Sequence, residues 1–91
     1  MADVIVTLRV RLENPKIKPE IITKLAKQAI EKLNGKVHET KTEPLAFGIK
    51  QLVIILTRDE SIGSADDIEE MVGDIAGVQS AEVIGVTRAL G

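Results

Sequence analysis

The alternation of side chains from Asp3 to Leu12 restricts the fold more than any other feature of the chain. A period of two in hydrophobicity is that of a β-strand with one face against a core. Asn14-Pro15 then interrupts the run. The segment is therefore predicted to be a strand that needs a second layer on one face, which carries Val4, Val6, Leu8, Val10 and Leu12.

Two later stretches have the period of an amphipathic helix. The first is predicted to begin at Pro19 and to stop at Asn34-Gly35, which is a good C-terminal signal. The second is expected to begin near Ser64, which with Asp67 resembles a capping box, and to end at Gly77. The apolar positions are Ile21, Ile22, Leu25, Ala26, Ala29, Ile30 and Leu33 in the first stretch and Ile68, Met71, Val72 and Ile75 in the second.

Three further strands are expected. Residues 36–43 are polar and partly β-branched, which is typical of an edge strand, and Pro44 closes them. Residues 49–57 are apolar on both faces at their centre, which favours a central position in the sheet. Residues 58–63 read as a polar loop, and 78–88 as the last strand, with Gly85 a possible bulge.

The resulting order, β-α-β-β-α-β, predicts an α+β fold of the ferredoxin-like type. Two right-handed crossovers with a hairpin between them give a four-stranded antiparallel sheet with both helices on one face. The other face is then open to a partner. At 91 residues the chain is expected to form one domain, residues 1–91, on whose surface any function must lie.

Composition excludes several classes of site. There is no cysteine, one aromatic residue (Phe47), one histidine (His38) and a net charge of −2. Thiol chemistry, a histidine metal cluster and a base-stacking platform are therefore not expected. No apolar run is long enough to span a membrane, and no glycine-rich phosphate loop is present. We expect a cytoplasmic protein that has no cofactor and does not bind nucleic acid directly.

Three short segments carry a family resemblance. They are PLAFGIKQL at 44–52, DESIGS at 59–64 with the acidic stretch after it, and VQSAEV at 78–83 running into VTRAL at 86–90. Together, with this spacing, they resemble the guanine-nucleotide exchange domain of the elongation factor 1-beta family, in its archaeal and eukaryotic forms. The resemblance implies an exchange factor, not an enzyme, that promotes GDP release from the GTPase elongation factor 1-alpha.

The resemblance also implies which residues bind the partner. Eukaryotic members have a lysine near the C-terminus that reaches toward the partner's magnesium and phosphate site, and Arg88 stands at that position. An aromatic before Gly-Ile-Lys lies in the family's interface, which here assigns Phe47, with Gly48 and Lys50 beside it. From the residues alone, Phe47 could equally be a core plug, Gly48 a turn glycine, and Arg88 or Lys50 a solvated charge at a strand end.

Three other functions fit the same fold. An RNA-binding module would need aromatics on the central strands. An acyl-phosphate hydrolase would need a phosphate-cradling loop after the first strand, for which LENPK at 12–16 is a poor candidate. A ligand-sensing regulatory domain would dimerise through its strands, whereas we expect this chain to be a monomer.

Overall fold

The computed structural model describes residues 3–88. Four strands and two helices follow one another in the predicted order, with one-turn 3₁₀ helices at Ala46–Gly48 and Glu60–Ile62. Of the VTRAL segment at 86–90, which carries part of the family resemblance, the last two residues lie outside the described part of the chain. The elements are β1 (Asp3–Leu12), α1 (Pro19–Lys32), β2 (Lys36–Pro44), β3 (Lys50–Asp59), α2 (Asp66–Gly73) and β4 (Val78–Arg88).

The four strands form one antiparallel sheet in the order β2-β3-β1-β4. The first strand is therefore central and pairs with both β3 and β4. The prediction of a ferredoxin-like α+β fold is confirmed. The predictions that β2 is an edge strand and that β3 is central are confirmed as well.

The core fills the space between one sheet face and the two helices. Each Leu or Ile that is fully buried there stabilises the fold by about 1.5–3 kcal/mol, and truncating one to Ala typically costs about 2–5 kcal/mol. The opposite face of the sheet carries Ile5, Val53 and Ile55 without a helix above them, and these stay partly exposed. The buried set comprises Val6, Leu8, Val10, Leu12, Ile22, Ala26, Ala29, Ile30, Leu52, Ile54, Leu56, Ile68, Val72 and Val78.

Helix α1 begins at Pro19 as predicted, and the chain leaves it through Asn34 at φ 65° and Gly35. A Cβ on Gly35 would lie 2.6 Å from Ile30 Cγ2, so the close return of the chain requires glycine. The apolar stripe is narrower than predicted, because Ile21 and Leu25 are 55% and 40% exposed. Within residues 3–88, neither helix is long and apolar enough to cross a membrane.

The predicted loop at 58–63 is wrong at its start. Arg58 lies inside β3 and is 3% exposed, because its position alternates with Leu56 and faces the helices. Its guanidinium donates to both carboxylate oxygens of Asp67 (Nη1 to Oδ2 2.8 Å, Nη2 to Oδ1 3.0 Å) and to the carbonyl oxygen of Ser64 at 2.6 Å. The buried charge is thus paired and hydrogen-bonded, which is the condition for burying it.

The same ion pair overturns the predicted start of α2. Ser64 does not cap the helix; Ala65 precedes its first residue, and no side chain caps it. Asp67 instead holds Arg58 and also accepts from the backbone N–H of Ile68 at 2.9 Å. The predicted end is wrong too, because α2 stops at Gly73 and Gly77 (φ 96°) serves the turn into β4.

Strand β4 carries a bulge beside Gly85, as predicted. Thr7 pairs with Gly85 while Leu8 pairs with Val83, so Ile84 is the extra residue. The backbone N–H of Val83 donates to Glu69 of α2 at 2.6 Å. The bulge changes which alternate residues face the helices, and it places Val83 and Val86, three positions apart, on the same side as the core.

We expect Asp67→Asn to destabilise the fold at pH 7, because it removes the carboxylate that pairs with a buried guanidinium. The expected cost is about 2 kcal/mol and not more, because the Asp67 side chain is 44% exposed and its charge is partly screened by solvent. The hydrogen bond from Arg58 holds the pKa of Asp67 below its ordinary value of 3.8. The contribution is therefore complete above pH 3.8 and is lost as pH falls through the lowered pKa.

Urea unfolding at pH 7 and in a series below pH 3.8 measures this. The difference between wild type and Asp67→Asn should shrink on acidification. Glu70→Gln, on the exposed side of α2, is the control and should change stability by less than about 0.5 kcal/mol. An Asp67→Asn variant as stable as wild type at pH 7 would contradict the assignment.

Candidate partner-binding site

The four residues assigned to partner binding lie at opposite ends of the sheet. Arg88 pairs with Val4 of β1, whereas Arg11 of β1 pairs with Gln51, the neighbour of Lys50. The two rows are seven positions apart along β1, which is roughly 24 Å at the rise of a strand. We call the two ends of the sheet the Phe47 end (Pro15 and residues 45–50) and the Arg88 end (Val4, residues 58–63 and Arg88). The structure brings Phe47, Gly48 and Lys50 together and leaves Arg88 apart.

Phe47 projects from the connection between β2 and β3 and is 93% exposed, so it is not a core plug. Its backbone is left-handed, at φ 63° and ψ 27°. A side chain in this region costs about 1–2 kcal/mol relative to the right-handed one. Ile49 closes the turn by donating to the carbonyl oxygen of Ala46 and accepting from Leu45. The turn therefore holds a large apolar side chain in water on a strained backbone.

Gly48 is also left-handed, at φ 75°. A Cβ placed on it would meet Pro15 Cβ at 3.7 Å, which is an ordinary contact. The glycine is thus required by backbone conformation and not by lack of space. Its place after Phe47 makes it the residue that lets the chain turn into β3.

Lys50 is the first residue of β3, is exposed, and pairs with Pro44 at the end of β2. Among residues 3–88, its ammonium group has no carboxylate within 4.0 Å. The neighbouring Gln51 donates instead to Glu43 at 2.8 Å. Lys50 thus adds a positive charge to the Phe47 end.

Arg88 is the last residue of β4, and its side chain is 68% exposed. It is not a free charge, because Nε donates to Oε2 of Glu60 and Nη2 donates to Oε1, both at 2.9 Å. The hydrogen bond from Arg88 lowers the pKa of Glu60, and the carboxylate raises the pKa of Arg88. Both groups are therefore charged at neutral pH.

Glu60 is the residue that sequence reasoning missed at this end. It falls in the predicted polar loop at 58–63, and it lies 28 positions before Arg88 in the chain. No local pattern links the two. They meet because β3 and β4 both pair with β1, and both finish beside its first residues.

A cleft of about 320 Å³ opens on the helix side at the Arg88 end. Its floor is aliphatic, and Val86, which lines it, is 58% exposed. Serine and acidic side chains form the rim. The lining residues include Val4, Val6, Val83 and Val86 on the floor and Ser64, Asp66 and Glu69 at the rim.

The open sheet face does not suit stacking of RNA bases. Its central positions, Ile5, Val53 and Ile55, are aliphatic, and Arg9 beside them is paired with Glu82 at 2.8 Å. Phe47, the one aromatic residue of the chain, lies outside the strands. The described surface is suited to protein contacts: an exposed aromatic at one end and a paired cation with an apolar cleft at the other.

Comparison with known proteins shows the family of this chain. The family described as the EF-1 guanine nucleotide exchange domain matches residues 5–89. The chain is 40% identical over 91 residues to the elongation factor 1-beta of Metallosphaera sedula, with 97% of each chain covered. It is 35% identical over 94 residues to that of Saccharolobus solfataricus (97% of each) and 33% over 84 residues to that of Methanococcus maripaludis (92% of this chain, 94% of the relative).

A match over nearly the whole length, joined by relatives of this identity, places the protein in the EF-1 guanine nucleotide exchange domain family, the nucleotide exchange factors of translation elongation.

Proposed function

We propose that this chain, as a single domain of residues 1–91, promotes GDP release from elongation factor 1-alpha in the cytoplasm. The observation that carries the proposal is the exposure of Phe47 on a strained turn at one end of a rigid sheet whose other end presents Arg88. The sequence has no glycine-rich phosphate loop that would bind a nucleotide. Its means of action is contact with the GTPase.

Arg88 acts on the phosphate end of the GTPase nucleotide site. Bound GDP is held by backbone donors, a P-loop lysine and Mg²⁺, which requires near-octahedral oxygen coordination. A guanidinium brought to that site repels Mg²⁺ and competes for its anionic oxygens. Because guanidinium is planar and forked, Arg88 is suited to pairing with a phosphate or carboxylate more than to taking the metal's place.

Phe47 supplies affinity. An aromatic side chain buries about 150–250 Å² on docking, and aromatic residues are frequent hot spots in interfaces. Because its backbone is already fixed, little conformational freedom is lost when a partner pocket closes on it. Lys50 beside it favours an acidic rim on that pocket.

The two ends together explain how one small domain could act on a larger GTPase. With about 24 Å between the rows of Arg88 and Gln51, the contacts fall on separate parts of the partner. If bound nucleotide lowers the affinity of the GTPase for the factor, then bound factor lowers the affinity of the GTPase for nucleotide by the same ratio. The factor accelerates release by binding the empty GTPase more tightly than the GDP form, and no covalent bond changes.

The direct test is release of fluorescent GDP from elongation factor 1-alpha with and without the protein. We expect catalytic acceleration, and we expect Arg88→Ala to reduce it by about tenfold, within the usual range of coupling between sites. Lys27→Ala, which removes an exposed positive charge from α1, is the matched control and should leave the rate unchanged.

A wild-type protein that leaves the release rate unaltered would rule out the proposed function. Full activity of Arg88→Ala in an otherwise active protein would reject only the role of that side chain.

Phe47→Ala should separate affinity from stability. We expect the factor concentration for half-maximal exchange to rise about tenfold, as for truncation of an interface hot spot. The free energy of unfolding should change by less than about 0.5 kcal/mol, because the side chain is 93% exposed. Exchange titrations and urea unfolding measure the two quantities.

Leu45→Ala is the control for Phe47→Ala, since Leu45 is in the same connection but is only 38% exposed. It should affect exchange less than Phe47→Ala does. Unchanged half-saturation for Phe47→Ala would show that this aromatic does not anchor the partner.

A further inference from the structure

The Arg88 guanidinium is bound along one edge and has no partner within residues 3–88 along the other. Of its five N–H donors, one on Nε and one on Nη2 go to Glu60. No other residue in the range 3–88 accepts from this guanidinium. The two hydrogens of Nη1 and one of Nη2 therefore have no acceptor among residues 3–88 while the pair with Glu60 is intact.

Glu60 is itself held in place by the turn that contains it. Asp59 Oδ1 accepts from the backbone N–H of Ser61 at 2.8 Å, and the N–H of Gly63 donates to the carbonyl oxygen of Glu60 at 3.2 Å. Gly63, at φ 99°, lets the chain leave the turn. The carboxylate thus projects from a short, hydrogen-bonded segment.

The buried ion pair fastens both ends of that segment. Arg58 precedes the turn, and its guanidinium binds the carbonyl oxygen of Ser64 and the carboxylate of Asp67, both of which follow it. Since Arg58 is 3% exposed and belongs to a central strand, it ties the turn to the rigid core. Glu60 is therefore a fixed point from which a longer, exposed side chain can be oriented.

We propose that Glu60 is a positioning residue for nucleotide exchange: it holds Arg88 by its Nε–Nη2 edge and leaves the Nη1 group free for an anionic oxygen of the GTPase. This inference rests on the proposed function of Arg88. An exposed arginine has several rotatable bonds, and ordering them within the complex, where Arg88 must meet the nucleotide site, costs free energy in the exchange step. Glu60 has already restricted them in the free protein.

The opposite role, in which Glu60 competes with the partner for Arg88, would require every N–H donor of the guanidinium to be occupied. Three of the five have no acceptor in the described part of the chain. Because the pair is neutral as a whole, its main effect is on geometry within the complex and not on long-range attraction. Loss of Glu60 should therefore lower the maximal exchange rate more than it raises the half-saturating concentration.

A double-mutant cycle tests the proposal. GDP release is measured at saturating factor for wild type, Glu60→Ala, Arg88→Ala and the double variant, with Glu70→Ala as a control for loss of one acidic charge. We expect Glu60→Ala to reduce the maximal rate about threefold or more, and to have no further effect when Arg88 is already alanine. Glu60→Gln, which keeps one acceptor oxygen, should fall between wild type and Glu60→Ala. Glu70→Ala should match wild type.

A Glu60→Ala protein as fast as wild type, or faster, would overturn the proposal, and so would an equal loss in the Arg88→Ala background, which would indicate a structural effect. These results differ from failure of the proposed function. In that case the wild-type protein itself would not accelerate release, and the positioning role would be rejected along with it.

Discussion

Burial of one face of β1 at the centre of the sheet is the constraint on which the rest of the structure depends. The strand pairs with both β3 and β4, and its alternate side chains are buried beneath the two helices. A displacement of β1 by one residue would turn that apolar row toward solvent. Because the Phe47 end and the Arg88 end are both aligned on β1, the same packing that stabilises the domain also sets the distance between its two proposed contact points.

The buried pair of Arg58 and Asp67 links this core to the Arg88 end. It joins the end of β3 to the first turn of α2, and the segment between them carries Glu60. Glu60 in turn holds Arg88 on the far edge strand. Two arginine–carboxylate pairs, one buried and one exposed, thus form a continuous connection from the core to the cation assigned to exchange. The first contributes stability, and the second, in our proposal, contributes orientation.

Local pattern was enough to predict most of the architecture. The alternation in β1, Pro19 at the start of α1 and Asn34-Gly35 at its end are all confirmed. Prediction failed where a long-range partner changed the role of a polar residue. Ser64 and Asp67 have the spacing of a helix cap, in which the Asp67 carboxylate would accept from the backbone N–H of Ser64. The carboxylate pairs instead with the buried guanidinium of Arg58, which is the stronger, charge-assisted interaction. The side of β4 that faces the core also escaped prediction, because the extra residue Ile84 shifts its alternation.

The sequence by itself determined the kinds of element, their order and the family, because each depends on residues close together in the chain. It also identified Phe47 and Arg88 as candidates, through segments that resemble a known family. Only the tertiary structure decided that Phe47 is exposed, that the Phe47 end and the Arg88 end lie at opposite ends of the sheet, and that Arg88 is held by Glu60. These facts depend on strand register, which brings together residues far apart in the chain and is set by packing of the whole sheet.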